Sequence, residues 1–243
     1  MDIKTVFLFS LIPGSIAVII LIFFVKEISI KKLVSSSTST STSIVGNIAK
    51  LLNNNKSFVI LLIVTGVFSL GAFNYSFILL EAPDLGISQN TIPIVYAVIN
   101  ISHTIIGVPA GLLADKIGKE KVLIIGYSTF VLSSILMFLF SGNNNYLYAY
   151  YLALVFGLYV GISETVQRAV IPKFVSTDLR GTAFGIYNLV TGVCLFVSNI
   201  AFGYLWDIYS VNMAVIYSLS FSICSIAGMI VFVKKYSFYP QTL

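Results

Sequence analysis

Three ionisable residues interrupt long apolar stretches of the sequence: His103, Glu164 and Arg168. Ionisable side chains inside a membrane are costly and mark functional sites by default. Glu164 and Arg168 are four residues apart, so they share one helix face. Three roles remain open for them: a charge relay, an i,i+4 pair in which Arg168 extends to the headgroups, or direct binding of a substrate or proton. His103, the single histidine, either couples proton movement or is neutral and hydrogen-bonded between helices.

Uncharged polar residues lie at similar depths in the apolar stretches. Such residues line cavities or form hydrogen bonds between membrane helices. The candidates for a cavity or coupling site are His103, Asn74, Tyr75, Asn100, Asn188 and Thr191. For each of these candidates, a hydrogen bond to a neighbouring helix remains the alternative to contact with a ligand.

The elements that position these residues follow from the composition. Hydrophobic residues make up 58% of the 243-residue chain and charged residues only 9%, whereas soluble domains carry roughly 25% charged residues. We therefore predict an all-α integral membrane protein with the lipid bilayer as its surroundings. The net charge of +5 lies in short clusters between apolar stretches, which indicates topology signals and not a nucleic-acid partner. The sequence contains no catalytic triad, phosphate loop or metal-ligand cluster, so we expect neither an enzyme nor a cofactor.

A membrane helix needs about 20 apolar residues, and seven stretches reach that length: 6–25, 58–80, 91–113, 122–141, 147–170, 182–206 and 211–233. We divide the chain into an N-terminal helix (1–25), a linker (26–57), a six-helix unit (58–233) and a tail (234–243). Within the linker, "SSSTSTSTS" at 35–43 predicts disorder. Residues 44–56 form either a short interfacial helix or a plain tether.

Lys and Arg alternate sharply between the connections. Loops 26–57, 114–121 and 171–181 and the tail are basic, whereas 81–90, 142–146 and 207–210 contain no Lys or Arg. Positively charged loops stay in the cytoplasm. We therefore predict an external N-terminus and a cytoplasmic C-terminus, as an odd number of spans requires.

Two short strings predict an internal repeat. "GLLAD" (111–115) and "GYLWD" (203–207) share the pattern G-x-L-x-D, with glycines 92 positions apart. Each string ends the second helix of a three-helix group, 58–141 or 147–233. The groups run in opposite directions, which is the inverted 3+3 repeat of many secondary transporters. Gly111, Gly203 and Asp207 are therefore structural positions of the repeat.

Three segments resemble the major facilitator superfamily. "GLLADKIGKEKVLIIG" (111–126) is similar to its cytoplasmic-loop signature, roughly G-x-x-x-D-[RK]-x-G-[RK]-[RK], in which Gly118 is the second glycine. "EAPDLGIS" (81–88) resembles the loop after the seventh helix, and 180–207 resembles the eleventh helix of prokaryotic members. The family contains twelve-helix secondary transporters whose two halves alternate access to a central cavity. The resemblance implies that 58–233 contains helices seven to twelve and that 6–25 is helix six.

The resemblance also implies a cytoplasmic gate. In the family, the aspartate and a basic residue of the signature interact with charges on neighbouring helices. In this sequence those residues are Asp115 and Lys119, and their candidate partners are Glu164, Arg168 and Arg180.

Helices one to five of the family have no counterpart in this sequence. We expect a C-terminal transporter half for a small solute in a prokaryotic cytoplasmic membrane. Such a half is a fragment, pairs with a separate N-terminal half, or pairs with a second copy of itself. The alternative is a non-transporting membrane fragment or an interaction subunit derived from such a transporter.

Overall fold

The structure, a computed structural model, describes residues 44–236 and, from the first 43 positions, only Ser15 and Ile20. The rest of the predicted helix 6–25, the Ser/Thr tract and residues 237–243 lie outside the described residues. The described part contains eight α-helices joined by short loops and 3₁₀ turns. They are α1 (Ile44–Asn54), α2 (Lys56–Gly71), α3 (Tyr75–Glu81), α4 (Ile92–Ile117), α5 (Lys119–Phe140), α6 (Tyr146–Val170), α7 (Arg180–Ile208) and α8 (Val211–Tyr236).

Six segments of the described chain are long and apolar enough to cross a membrane: Lys56–Glu81, Gln89–Ile117, Lys119–Phe140, Tyr146–Lys173, Thr177–Ile208 and Val211–Tyr236. Even the shortest has 22 residues, about 33 Å at 1.5 Å per residue, which exceeds the ~30 Å hydrocarbon core. They coincide with the last six predicted stretches to within a few residues, and the predicted all-helical membrane fold is confirmed. Lys234 and Lys235, which we assigned to the tail, instead form the last turn of α8, where the helix dipole favours positive charge.

The two three-helix groups exchange their first helices, so that each first helix packs against helices of the other group. The first helix of the second group, α6, packs against α4 and α5 of the first group. In the same way α2 packs against α7 and α8, and the two third helices, α5 and α8, contact each other. The repeat glycines follow this symmetry, because Gly111 faces Thr165 on α6 and Gly203 faces Phe77 on α3.

Helices α4 and α6 cross at close range. Gly157 and Gly161, one turn apart on α6, lie directly against the backbone carbonyls of Ile99 and His103. A Cβ atom at either glycine would overlap those carbonyls. Small residues at such a crossing let two membrane helices approach closely, and here they place α4 and α6 side by side at the level of His103.

The first membrane span is broken between α2 and α3. Its unwound residues, 72–74, leave backbone groups without helical partners, and lipid cannot satisfy such groups. Side chains of α7 and α8 satisfy them instead. Ser198 Oγ donates to the Ala72 carbonyl at 2.8 Å, Tyr217 donates to the Leu70 carbonyl at 2.6 Å, and Ser218 donates to the Gly71 carbonyl. The break is therefore a supported feature of the fold.

The end of the predicted linker is helical. Helix α1 contacts α2 and α7, and Leu51 is completely buried. Of the two alternatives for residues 44–56, a short helix and a plain tether, the structure contains the helix, and it packs on the six-span unit.

Candidate functional site

A central cavity of about 460 Å³ lies among the first, second, fourth and fifth spans. Its walls combine apolar rings, among them Phe68, Phe73 and Phe156, with polar side chains. All six residues that the sequence nominated for a cavity or coupling site line it: Asn74, Tyr75, Asn100, His103, Asn188 and Thr191. Tyr159, Ser163, Glu164 and Gln167 add further polar groups from α6.

The broken span forms one wall of the cavity. The Asn74 backbone N–H donates to Asn199 Oδ1 at 3.0 Å. The Asn74 side chain in turn accepts hydrogen bonds from the backbone and hydroxyl of Ser76, at 3.0 and 2.9 Å. These bonds cap α3 and fix the position of Asn74. The Tyr75 ring packs at a tilt against Tyr96 of α4, with ring centroids 5.3 Å apart. Broken membrane helices expose backbone and polar groups to a ligand at mid-membrane depth in many transporters.

Other polar groups of the wall are partly engaged within their own helices. Asn100 donates to the Tyr96 carbonyl at 2.8 Å, and Thr191 donates to the Tyr187 carbonyl at the same distance. The side-chain oxygen of Asn100 and the side-chain amide of Asn188 take part in no hydrogen bond among residues 44–236. The wall therefore offers both hydrogen-bond donors and hydrogen-bond acceptors to a polar solute.

Ionisable side chains of α4 and α6 meet at the cavity wall, where His103 and Glu164 both line the cavity. His103 Nε2 lies 3.8 Å from Glu164 Oε2, and Arg168 lies 4.0 Å from the same oxygen. The side chains of His103, Glu164 and Arg168 are 35%, 53% and 80% exposed. Long, exposed contacts of this kind are worth little as stabilising salt bridges. They leave the carboxylate and the imidazole available to a solute or a proton.

The structure does not join the predicted gate residues to one another. Among residues 44–236 the three ion pairs are His103–Glu164, Arg168–Glu164 and Lys173–Glu120, so none involves Asp115, Lys119 or Arg180. Asp115 instead lines an open groove beside α4, together with His103, Gly111 and Thr165. Arg180 is the exposed first residue of α7. The gate remains a prediction about these residues.

The structure shows the surroundings of two glycines and an aspartate from the predicted motifs. Gly118 separates α4 from α5 with φ of +102°, a conformation that glycine adopts without the steric cost of a side chain. Gly203 packs against the Phe77 ring. Asp207 is exposed near the end of α7.

Sequence reasoning missed the shortest ion pair. Lys173 Nζ donates to Glu120 Oε1 at 2.6 Å, and the Glu120 side chain is completely buried. Two signals were available in the sequence. Glu120 stands where the loop signature has Lys or Arg, and it lies in the first turn of a helix, where the dipole favours an acid.

The comparisons with known proteins agree with this architecture. Residues 2–199 match the family model described as Major Facilitator Superfamily. An uncharacterized MFS-type transporter of Methanocaldococcus jannaschii is 31% identical over 183 residues, which cover 71% of this chain and 44% of that protein. A second such transporter of that organism is 25% identical over 76% of this chain and 46% of its own length.

A more distant similarity extends to mycobacteria. An uncharacterized protein of Mycobacterium tuberculosis is 25% identical over 138 residues, which cover 57% of this chain and 32% of that protein. The chain thus spans less than half the length of each of these curated relatives. The match to the family model and the six membrane spans show that the chain is an integral membrane protein and belongs to the major facilitator superfamily.

Proposed function

We propose that the chain is the C-terminal half of a secondary transporter that moves a small solute by alternating access. The observation that carries this proposal is the polar cavity, to which both three-helix groups contribute. A small polar solute suits its size of about 460 Å³ and its mixture of aromatic rings and amides.

The second helix of each group supports the need for a partner half. Within an apolar 18-residue segment of each span, only 17% of the α4 span and 11% of the α7 span are buried, compared with 61% of the first span. Asn100 and Asn188 on these two helices are exposed polar residues, which lipid would cover poorly. An N-terminal half, in the same protein or a separate chain, or a second copy would close the cavity over them.

His103 and Glu164 are the proposed coupling pair. They lie on different helices at the cavity wall, 3.8 Å apart, so a change in the spacing of α4 and α6 changes their interaction. A positively charged His103 would form a salt bridge with the Glu164 carboxylate. Asp115, Lys119 and Arg180 are the proposed gate residues at the lysine-bearing ends of the helices, which we orient toward the cytoplasm.

Cysteine labelling tests the aqueous cavity without knowledge of the substrate. Cys194 and Cys224 are free thiols, so both are first replaced by serine. In vesicles, Asn188→Cys should react with a membrane-impermeant maleimide at least about tenfold faster than Ile223→Cys, a difference of about 1.4 kcal/mol in barrier. Ile223 is the control because it is exposed on α8 away from the cavity, at 55%. Equal rates at the two positions would contradict a water-filled cavity.

Transport is tested on the chain reconstituted alone and together with the N-terminal half of a related transporter. A proton-coupled solute would change the internal pH of the vesicles, and His103→Gln should abolish that change while solute binding persists. Retained pH dependence would leave His103 a packing residue. The alternative function is that of a non-transporting membrane subunit. Binding of a partner half without uptake of any solute would support it.

A further inference from the structure

A second buried glutamate lies outside the cavity. Glu81 is the last residue of α3 and is only 1% exposed. Both of its carboxylate oxygens are buried, and neither has a hydrogen-bond partner among the described residues. An ionised carboxylate in such a site loses its hydration without compensation and tends to become neutral instead.

Among residues 44–236, no positive charge lies beside Glu81 to compensate it. The titratable and polar groups beside its carboxyl group are Asp84, in the following loop, and Ser141, at the end of α5. All Lys and Arg residues between 44 and 236 lie at the opposite ends of the spans. Within the same range, the charged residues at the end that contains Glu81 are all acids, namely Glu81, Asp84 and Asp207.

Two loops cover the glutamate. In loop 82–90, Ala82, Leu85 and Ile87 are buried. The backbone of this loop folds back on the helix end, because Asp84 and Leu85 donate to the Glu81 carbonyl at 3.0 and 3.2 Å and Ile87 donates to Ala82 at 3.0 Å. Gly86 lies against Asn144 of loop 141–145. Water therefore reaches the carboxyl group only when these loops separate.

We propose that Glu81 is a proton-binding site at the lysine-free end of the bundle, protonated while the two loops are closed and ionised when they open. The step is a simple dissociation: the carboxyl O–H bond breaks, the proton passes to water on that side, and the carboxylate becomes hydrated. Because the closed form binds the extra proton, low pH favours closure and rising pH favours opening. The proposal goes beyond the transport function and does not depend on it.

Infrared spectroscopy of the full chain in lipid tests the site directly. At pH 7 the wild-type protein should show the C=O band of a protonated carboxylic acid, with an intensity of one group per chain. The band should be lost in Glu81→Gln and retained in Glu120→Gln, the matched control for a buried glutamate that has a lysine partner. Ser141→Ala should shift the frequency of this band, because the Ser141 side chain lies beside the carboxyl group. Absence of the band from wild-type protein, or its persistence in Glu81→Gln, would overturn the proposal.

A second measurement tests the coupling to loop opening. With Cys194 and Cys224 replaced by serine, a thiol at the buried position 87 (Ile87→Cys) should react faster with an impermeant maleimide as the pH rises, after correction for thiolate formation with a denatured sample. In Glu81→Gln the corrected rate should not depend on pH. If Na⁺ at constant pH removes the infrared band or slows labelling, Glu81 is a cation site and the proton proposal is wrong.

Discussion

Glu81 and Glu120 are buried to the same degree at opposite ends of the helix bundle. Glu120 lies in the first turn of α5 at the lysine-bearing end, and its Oε1 lies 2.6 Å from Lys173 Nζ. Glu81 closes α3 at the lysine-free end and has no partner among the described residues. The two sites differ because, between residues 44 and 236, Lys and Arg are confined to one end of the spans.

This contrast shows a structural consequence of a topology signal. Lysines that orient a membrane protein also supply counter-charges for buried acids at that end. At the other end residues 44–236 contain no Lys or Arg, so a buried acid in this part of the chain must bind a proton or be exposed by movement. The same residue type therefore stabilises one end and is proposed to make the other end sensitive to pH.

Removal of the counter-charge should have the largest effect. In Lys173→Met, Glu120 stays buried without its partner, and breaking such a pair from one side costs about 3–5 kcal/mol. We expect a loss near 3 kcal/mol, the low end of this range, since the Lys173 side chain is itself 41% exposed. Unfolding of the protein in mixed detergent and SDS micelles measures this free energy.

The matched control for that variant is Lys121→Met, because Lys121 is exposed and takes part in none of the three ion pairs among residues 44–236. The double variant Lys173→Met/Glu120→Gln should recover most of the lost stability. If the two single effects simply add, the contact does not stabilise the protein.

Replacement of each glutamate by glutamine compares the two ends directly. Glu120→Gln removes a charge-assisted hydrogen bond and should cost about 1.5–3 kcal/mol at pH 7. Glu81→Gln should cost less than about 1 kcal/mol, because the amide replaces a carboxyl group that is already neutral. The same unfolding measurement applies, and equal losses would remove the distinction between the sites.

A hydrogen bond in the middle of the bundle serves as a reference for the two ends, because it involves no charged group. Ser198→Ala removes the hydroxyl group that satisfies the Ala72 carbonyl in the broken span. Hydrogen bonds between membrane helices contribute about 0.6 kcal/mol on average and up to about 1.7 kcal/mol, and we expect a loss in this range. Ser220→Ala is the control, because Ser220 donates only to Ile216 of its own helix. A loss as large as that of Lys173→Met would mean that charge does not distinguish the ends from the middle.

The smallest effect is expected at the exposed ion pair. Arg168→Gln removes a 4.0 Å contact from an arginine that is 80% exposed, and i,i+4 pairs of this kind contribute about 0.3–0.5 kcal/mol. The stability should change by no more than this and should depend on salt. A loss above about 1 kcal/mol would contradict the expectation that this exposed pair stabilises the protein less than Lys173–Glu120 does.

Much of the cavity was predictable from the sequence. Asn100 and Asn188 stand out because an amide within an apolar helix needs a polar neighbour or water, whatever the fold. Their alignment toward one cavity follows from the exchanged packing of the two groups. The sequence alone could not separate them from Asn199, which instead holds the broken span through Asn74.

The ion pairs were less predictable. Asp115 and Arg180 are prominent in the sequence, yet neither takes part in the three ion pairs among the described residues. Glu120 looks like one more loop charge, but the first turn of α5 buries it completely. Whether a charge near a helix end faces water or protein depends on how that helix is rotated against its neighbours, and a local pattern contains no such information.

The spans and the sorting of charge between their ends were predictable from the amino-acid sequence, because both depend on local properties: the length of an apolar stretch and the positions of lysine and arginine. Which side chains meet depends instead on how the helices pack. Lys173 reaches Glu120 across 53 positions of sequence, the side chains of α7 and α8 satisfy the broken span, and two loops close over Glu81. Contacts of this kind require helices distant in sequence to pack at one crossing and one rotation, which is a property of the assembled bundle.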